Sequence, residues 1–173
     1  TPEAWPHVLK KLAQALRAIR PLLSVADRMH DETSLHIEQD NDPAWHRAYN
    51  EHFKHQDRRR PRIQALAAGE VFIGQDLLSD QELMQTEFYH DFLHPQRLFH
   101  IVGSIVLKDT ERVGVLRVLR RQRSKPFGET ERNFLRVVTP HVTRALALHH
   151  ELAVARAERD SMRELLEWFP SGV

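Results

Sequence analysis

The chain has no cysteine at all. That removes disulfide frameworks, thiolate metal sites and cysteine nucleophiles, and it fits a reducing compartment, so a cytoplasmic protein is expected. Glycine and proline are few, six and nine in 173 residues, which excludes a fibrous repeat and argues against broad disorder. No apolar run approaches the ~18 residues of a membrane span, and no membrane partner is expected. An excess of one charge is missing too: 25 Lys and Arg face 24 Asp and Glu, for a net charge of +1. A dedicated DNA-binding domain carries a basic excess, so the balance speaks against DNA contact by this stretch of chain. Catalytic landmarks are equally lacking, with no Gly-rich phosphate loop, no Gly-x-Ser-x-Gly elbow and no ordered Ser/His/Asp series. Neither an enzyme nor a cofactor is expected.

What stands out by its presence is histidine, with twelve copies. His90 and His94 fall at i, i+4 with Asp91 between them, His52 and His55 make a second pair, and His149-His150 a third. Two imidazoles one helical turn apart can share a metal, but no pair has a third ligand at fixed spacing. Scattered surface histidines account for the count, and no metal is expected; a metallo-hydrolase stays as a rival reading.

A chain of 173 residues is about one domain. Trp5, Val8, Leu9, Leu12, Leu16 and Ile19 recur at helical spacing, which predicts a first helix from Pro2 to Arg20, capped by Thr1 and ended by Pro21. Strands follow at 22–26 and 34–38, the second alternating Leu35 and Ile37 with His36 and Glu38, as in a sheet with one wet face. Asp42-Pro43 starts a helix carrying Trp45, Ala48, Tyr49, His52 and Phe53 on one face. The run Asp57-Arg58-Arg59-Arg60-Pro61 closes it, and a short helix holds Ile63 to Ala68. Gly69 and Gly74 bracket a strand over Val71–Ile73. Ser79-x-x-Glu82 is a capping box that opens another helix, and Phe88, Tyr89, Phe92 and Leu93 form a second aromatic cluster ended by Pro95. The Val-, Ile- and Leu-rich stretches 98–107 and 112–119 read as a hairpin in the middle of an antiparallel sheet.

A last helix is predicted over Glu129–Trp168. At 1.5 Å per residue it extends ~60 Å, twice the width of a small domain. Phe134, Val138, His141, Ala145, Leu148, Leu152, Ala155, Arg159, Met162, Leu166 and Phe169 alternate spacings of four and three, a heptad seam. The first half is expected against the sheet, where Leu135, Val142 and Leu146 widen the apolar face, with a modest bend at Pro140. The second half needs a partner helix. A homodimer through Leu148, Leu152, Ala155, Met162 and Leu166 is expected, the alternative being a helix folded back on the first one. The chain divides into a compact domain, 1–148, and a helical connector, 149–173.

The fold class is α/β (α+β), an antiparallel sheet flanked by helices, and the order of elements resembles a GAF-type sensor domain, with PAS domains close to it. The segment Thr86-Glu87-Phe88-Tyr89-His90-Asp91-Phe92-Leu93-His94-Pro95 is followed by Phe127-Gly128-Glu129-Thr130-Glu131 and then by Thr139-Pro140-His141-Val142 with Ala145-Leu146. Together these resemble the N-terminal sensor region of LuxR-type helix-turn-helix transcription regulators. Trp168-Phe169-Pro170-Ser171-Gly172-Val173 is similar to the lead into the next module of such proteins. The resemblance implies that DNA is bound only by a domain absent from this chain, which makes sense of the balanced charge. Trp45-x-x-x-Tyr49 with Asp57 beyond is similar to acyl-homoserine-lactone receptors, where an aromatic pair lines the pocket and an Asp receives the ligand amide N–H; here Arg58 follows the Asp. Such a lactone-binding domain is one alternative function, and a ligand-free dimerisation module is another.

Trp45, Tyr49, Phe53, Phe88, Tyr89 and Phe92 either wall a pocket for an unknown small-molecule signal or simply fill the core. His100 and Ser104, alternating with Val102 on one strand face, are candidate polar groups for that pocket. The basic stretches Arg58–Arg62 and Arg117–Lys125 are read as solvated faces or interdomain contacts.

Overall fold

Trp5, Leu9, Leu12 and Ala13 give the first helix, α1 (Ala4–Ala15), its buried stripe. The computed structural model describes residues 4–39 and 42–168, without the side chain of residue 167. The expected cap at Thr1 and Pro2, the seam position Phe169 and the motif from Phe169 to Val173 lie outside the described residues. The helix stops well before Pro21. Arg17 takes a left-handed conformation (φ 47°), the Arg17 N–H donates to the Gln14 carbonyl at 3.2 Å and the Ala18 N–H to the Ala13 carbonyl at 2.8 Å. That pairing is a Schellman ending, which satisfies the last carbonyls and turns the chain. Pro21 instead enters strand β1 (Arg20–Asp27), one residue before pairing with the next strand begins.

Strands β2 (Thr33–Glu38), β3 (Val71–Ile73), β4 (His100–Lys108) and β5 (Arg112–Arg120) complete one sheet in the order β2-β1-β5-β4-β3. All its pairs are antiparallel. The hairpin β4–β5 is central, as its apolar composition predicts, and it is buried on both faces. One face carries Leu23, Val25, Val102, Val106, Leu116 and Val118 against α1 and the long helix. The other carries Ile101, Ile105, Val113, Val115 and Leu119 against the helices inserted between β2 and β4.

Those insertions are α2 (Pro43–Glu51), a 3-10 turn (Phe53–His55), α3 (Arg59–Ala65), α4 (Gly74–Leu77), α5 (Asp80–Met84) and a π-helical turn (Phe88–Leu93). Asp42 caps α2 by accepting from the Ala44 N–H at 2.9 Å. Ser79 and Glu82 make their reciprocal capping box on α5. The arginine run does not close α2. Arg59, Arg60 and Pro61 form the first turn of α3, where a proline has no hydrogen bond to lose.

The long helix α6 spans Glu129–Trp168 and continues through Pro140. It meets the sheet through Leu135, Thr139, Val142 and Leu146, all buried. The expected seam positions in this half do not make that contact: Phe134, His141 and Ala145 face outward and only Val138 is half-buried. Neighbouring residues sit 100° apart around a helix, so the seam and the sheet-facing stripe are separate faces. From 150 to 168 every described side chain is exposed, roughly 28 Å of helix.

The corner between β5 and α6 is tied by Arg120, which is buried. Its Nε donates to the Leu16 carbonyl at 3.0 Å, Nη1 to the Lys125 carbonyl at 3.0 Å and Nη2 to Glu131 Oε1 at 2.9 Å. Its guanidinium also lies 4.0 Å from the centre of the Phe127 ring. The expected solvated stretch from Arg117 to Lys125 thus contains a buried cation that joins α1, the corner and α6. Arg59 likewise leaves solvent and pairs with Asp57. A cation with several acceptors within reach of its fork can be buried.

Candidate functional site

The two aromatic clusters meet over the sheet face opposite α6. Phe88 and Phe92 stack at 5.2 Å and 17°. Tyr49 lies 5.5 Å from Phe92 and Trp45 meets Phe92 edge-on at 5.7 Å. Both rings of the first stack belong to the π-helical turn. Its backbone bonds reach back five residues, His94 N–H to the Tyr89 carbonyl at 2.8 Å and Leu98 N–H to the Leu93 carbonyl at 2.9 Å. Phe88 and Phe92, four residues apart, stand on one face of this turn. π turns of this kind recur at functional sites.

Between these rings and the sheet lies a cavity of about 120 Å³. A water needs ~10–15 Å³ of such volume, so the space equals roughly eight to twelve water positions. Its floor is Leu22, Ser24 and Ala26 of β1, His36 and Glu38 of β2, Ile101 of β4, and Arg117 and Leu119 of β5. The residues predicted as the wet face of β2 therefore line the cavity. Trp45, His46 and Tyr49 of α2, with Phe88 and Phe92, form the opposite wall, and Asp57 closes one side.

Of the candidate pocket residues, Trp45, Tyr49, Asp57, Phe88 and Phe92 come together around this cavity. The other four do not line it. Phe53 packs behind Phe92 at 5.1 Å. Tyr89 points away from it, donating its hydroxyl to Gln122 Oε1 at 2.8 Å and packing on Phe99 at 5.7 Å, where it lines a second hollow with Arg97, Arg121 and Arg123. Ser104 and His100 do share a strand face with Val102, but it is the opposite face. The Ser104 hydroxyl lies 2.8 Å from the Thr139 hydroxyl of α6. The His100 ring lies 3.3 Å from Gln75 and 3.1 Å from the Gln122 carbonyl.

The lining is rich in charge, and most of it is paired. Arg20 meets Glu38 at 3.5 Å, Lys54 meets Asp31 at 3.2 Å, and Arg60 meets Asp31 as well. One Asp57 oxygen accepts both the backbone N–H and Nε of Arg59, each at 3.1 Å. Arg117 differs. It donates from Nη2 to the Ser24 hydroxyl at 2.8 Å and interacts with the Tyr49 hydroxyl, but among the described residues its buried Nε has no acceptor and no carboxylate pairs with it.

Burial, reinforced by the Asp57 charge, pushes the Tyr49 phenol above its ordinary pKa, while Arg117 and Arg60 pull it back. It stays a neutral hydroxyl at neutral pH. At the other end, the His36 and His46 rings lie 3.8 Å apart, and His36 is 3.1 Å from Glu38. Burial, and then the His36 charge, lower the pKa of His46. Among the described residues no group of three His, Asp or Glu converges as metal ligands, and no helix is long and apolar enough to cross a membrane.

Arg117 and Arg20, with Ser24, His36, Glu38 and His46, are among the lining residues that sequence reasoning did not place at the site. Arg117 alternates with the apolar Val115 and Leu119 on the cavity face of β5, and a charge at that strand position was the available signal.

No protein-family model matches the sequence, and no curated protein does. Solved structures do share the fold. The VqsR LBD domain from Pseudomonas aeruginosa superposes with a TM-score of 0.64 at 18% identity, over 83% of this chain and 84% of that one. CepR2 from Burkholderia cenocepacia, an N-acylhomoserine-lactone-dependent LuxR family transcription factor, does so at 0.57 and 15%, over 84% of each chain. The GAF3 domain of Slr1393 from Synechocystis sp. reaches 0.59 at 14%, over 88% of this chain and 98% of that one. The fold is thus GAF-like and is shared with sensor regions of LuxR-type regulators.

Proposed function

We propose that the chain is the N-terminal sensory and dimerisation domain of a LuxR-type transcription regulator. A small-molecule signal occupies the cavity beneath Trp45, Tyr49, Phe88 and Phe92. The response travels through α6 to a DNA-binding domain outside this chain. The observation that carries the reading is that the aromatic rings roof an open cavity instead of filling it, in a fold shared with domains of this kind.

A ligand enclosed there touches β1, β2, β5, α2 and the π turn at once, so it stabilises one packing of the aromatic layer over another. That unequal stabilisation is what a sensor requires. The output runs through a helix whose exposed seam, Leu148, Leu152, Ala155, Met162 and Leu166, suits a second copy of itself. The volume supports a compact ligand of about ten non-hydrogen atoms in place of its ~eight to twelve waters, smaller than a long-chain acyl-homoserine lactone.

Thermal unfolding against a panel of compact apolar metabolites tests the reading. A ligand present at a hundred times its Kd should raise Tm by roughly 5–10 °C, and Trp45→Ala with Phe92→Ala should abolish the rise. A panel that leaves Tm unmoved, including acyl-homoserine lactones and neutral and charged aromatics, refutes the ligand site and leaves the domain as a dimerisation module.

A further inference from the structure

The charges around the cavity say more about its ligand than the volume does. Every Lys and Arg of the lining except Arg117 has a carboxylate partner among the described residues. Arg117 is half-buried on the sheet floor, bonded to the neutral Ser24 hydroxyl. A guanidinium has five N–H donors and no acceptor, and here one of them, Nε, is sealed from water without an acceptor. An under-bonded cation beside a cavity is a site that lacks one anion. The Ser24 and Tyr49 hydroxyls are its polar neighbours, and Leu119, Ile101, Phe88 and Phe92 give the same cavity its apolar lining.

Resting on the sensory reading above, we propose that the ligand is a small organic acid with an aromatic or otherwise flat apolar body. Its carboxylate pairs with Arg117, helped by the Ser24 and Tyr49 hydroxyls, and its body lies against Phe88, Phe92 and Trp45. Lys54 and Arg60 share Asp31, so Arg117 is the one Lys or Arg of the lining without a carboxylate contact among the described residues, and a carboxylate is the group that completes it. Arginine suits the task because its planar fork meets a carboxylate through two parallel hydrogen bonds. The Tyr49 hydroxyl, kept neutral by burial, is a donor to the same carboxylate. The other acidic groups of the lining are paired, Asp57 with Arg59, Asp31 with Lys54 and Arg60, and Glu38 with Arg20, which offsets much of their repulsion of the anion.

The test is titration calorimetry of the whole chain with benzoate, phenylacetate and cinnamate, each beside its neutral amide. At least one acid should bind, and its amide should bind at least tenfold more weakly. Arg117→Gln should weaken the acid at least tenfold and leave the amide unchanged, with Arg117→Lys between. An amide within tenfold of its acid, or an Arg117→Gln protein that is folded by circular dichroism and binds the acid as wild type does, overturns the proposal. If Arg117→Gln does not fold, the acid–amide comparison in the wild-type protein decides. N-octanoyl-homoserine lactone runs alongside. If it or the amides bind and the acids do not, the acid assignment fails and the sensory reading stands; if nothing binds, both fail.

Discussion

Replacing Arg120 with Met should be among the costliest single changes on this chain. Methionine keeps an unbranched apolar stem and a contact with the Phe127 ring, so the change removes mainly the guanidinium's bonds. Those bonds reach the Leu16 carbonyl at the end of α1, the Lys125 carbonyl in the corner, and Glu131 in the first turn of α6. Glu131 is then left mostly buried with its charge uncompensated, apart from the Gly128 N–H at 2.9 Å. Removing one member of a buried pair costs about 3–5 kcal/mol, and the orphaned carbonyls place the change at the upper end. At ~2–4 °C per kcal/mol for a chain of this size, Tm should fall by roughly 6–20 °C. Urea unfolding followed by circular dichroism measures the loss directly. The pH dependence gives a second reading. Burial pushes the Glu131 carboxyl up, but the Gly128 N–H and then Arg120 outweigh it and hold it below the usual carboxylate range. Its contribution is therefore complete above the unfolded pKa and is lost as pH falls through the lower folded value. That acid-side loss should shrink in Arg120→Met. A loss of stability under ~1 kcal/mol, or an acid limb unchanged in shape, would refute the account of this corner.

Two further outcomes follow from other parts of the molecule. Leu152 and Leu166 are 50% and 70% exposed on the outward seam of α6. If that seam pairs with a second copy, wild type should be dimeric by light scattering at tens of micromolar. Leu152→Glu with Leu166→Glu should then weaken the dimer by about 4 kcal/mol, roughly a thousandfold; a wild-type monomer, or a variant that still dimerises, rules the seam out. Gly103→Ala should cost about 1–3 kcal/mol, because a Cβ there meets the Leu116 carbonyl at 2.5 Å and the Phe72 ring at 2.6 Å. A stability within 0.5 kcal/mol of wild type, measured by urea unfolding, would show that both the Leu116 backbone and the Phe72 ring give way freely.

Where a boundary is written by neighbouring residues, it is legible from the chain. Asp42-Pro43, the Ser79–Glu82 box and the span of α6 all behave as their local chemistry predicts. The failures are equally physical. The end of α1 has no glycine to mark it, because Arg17 accepts the left-handed conformation itself, and Pro21 is a conspicuous stop one element too late. The arginine run looks like a solvated break. Yet Asp57 lies two residues before Arg59 and neutralises it in place, so the run can open a buried helix instead.

The site was legible to the same degree and fails for a different reason. Helical spacing identifies which aromatic rings share a face, and Trp45, Tyr49, Phe88 and Phe92 do meet around one cavity. Strand alternation likewise groups His100 with Ser104 correctly. Alternation is silent on which layer covers that face, however, because the answer depends on where α6 docks, through Thr139 onto Ser104. Once α6 takes that face, the cavity floor passes to the other parity, which on β5 means Arg117 and Leu119 and on β1 means Ser24. A polar residue in a strand is thus an ambiguous sign until the sheet's two faces are assigned. Arg117 and Ser104 are both polar breaks in apolar strands, and only the position of one helix decides that the hydroxyl is a packing bond and that the guanidinium faces the cavity. The same logic makes Ser24→Ala informative: it takes away the hydrogen bond that the Arg117 side chain donates to the Ser24 hydroxyl. If Arg117 serves the ligand, the substitution should weaken acid binding more than it weakens the fold.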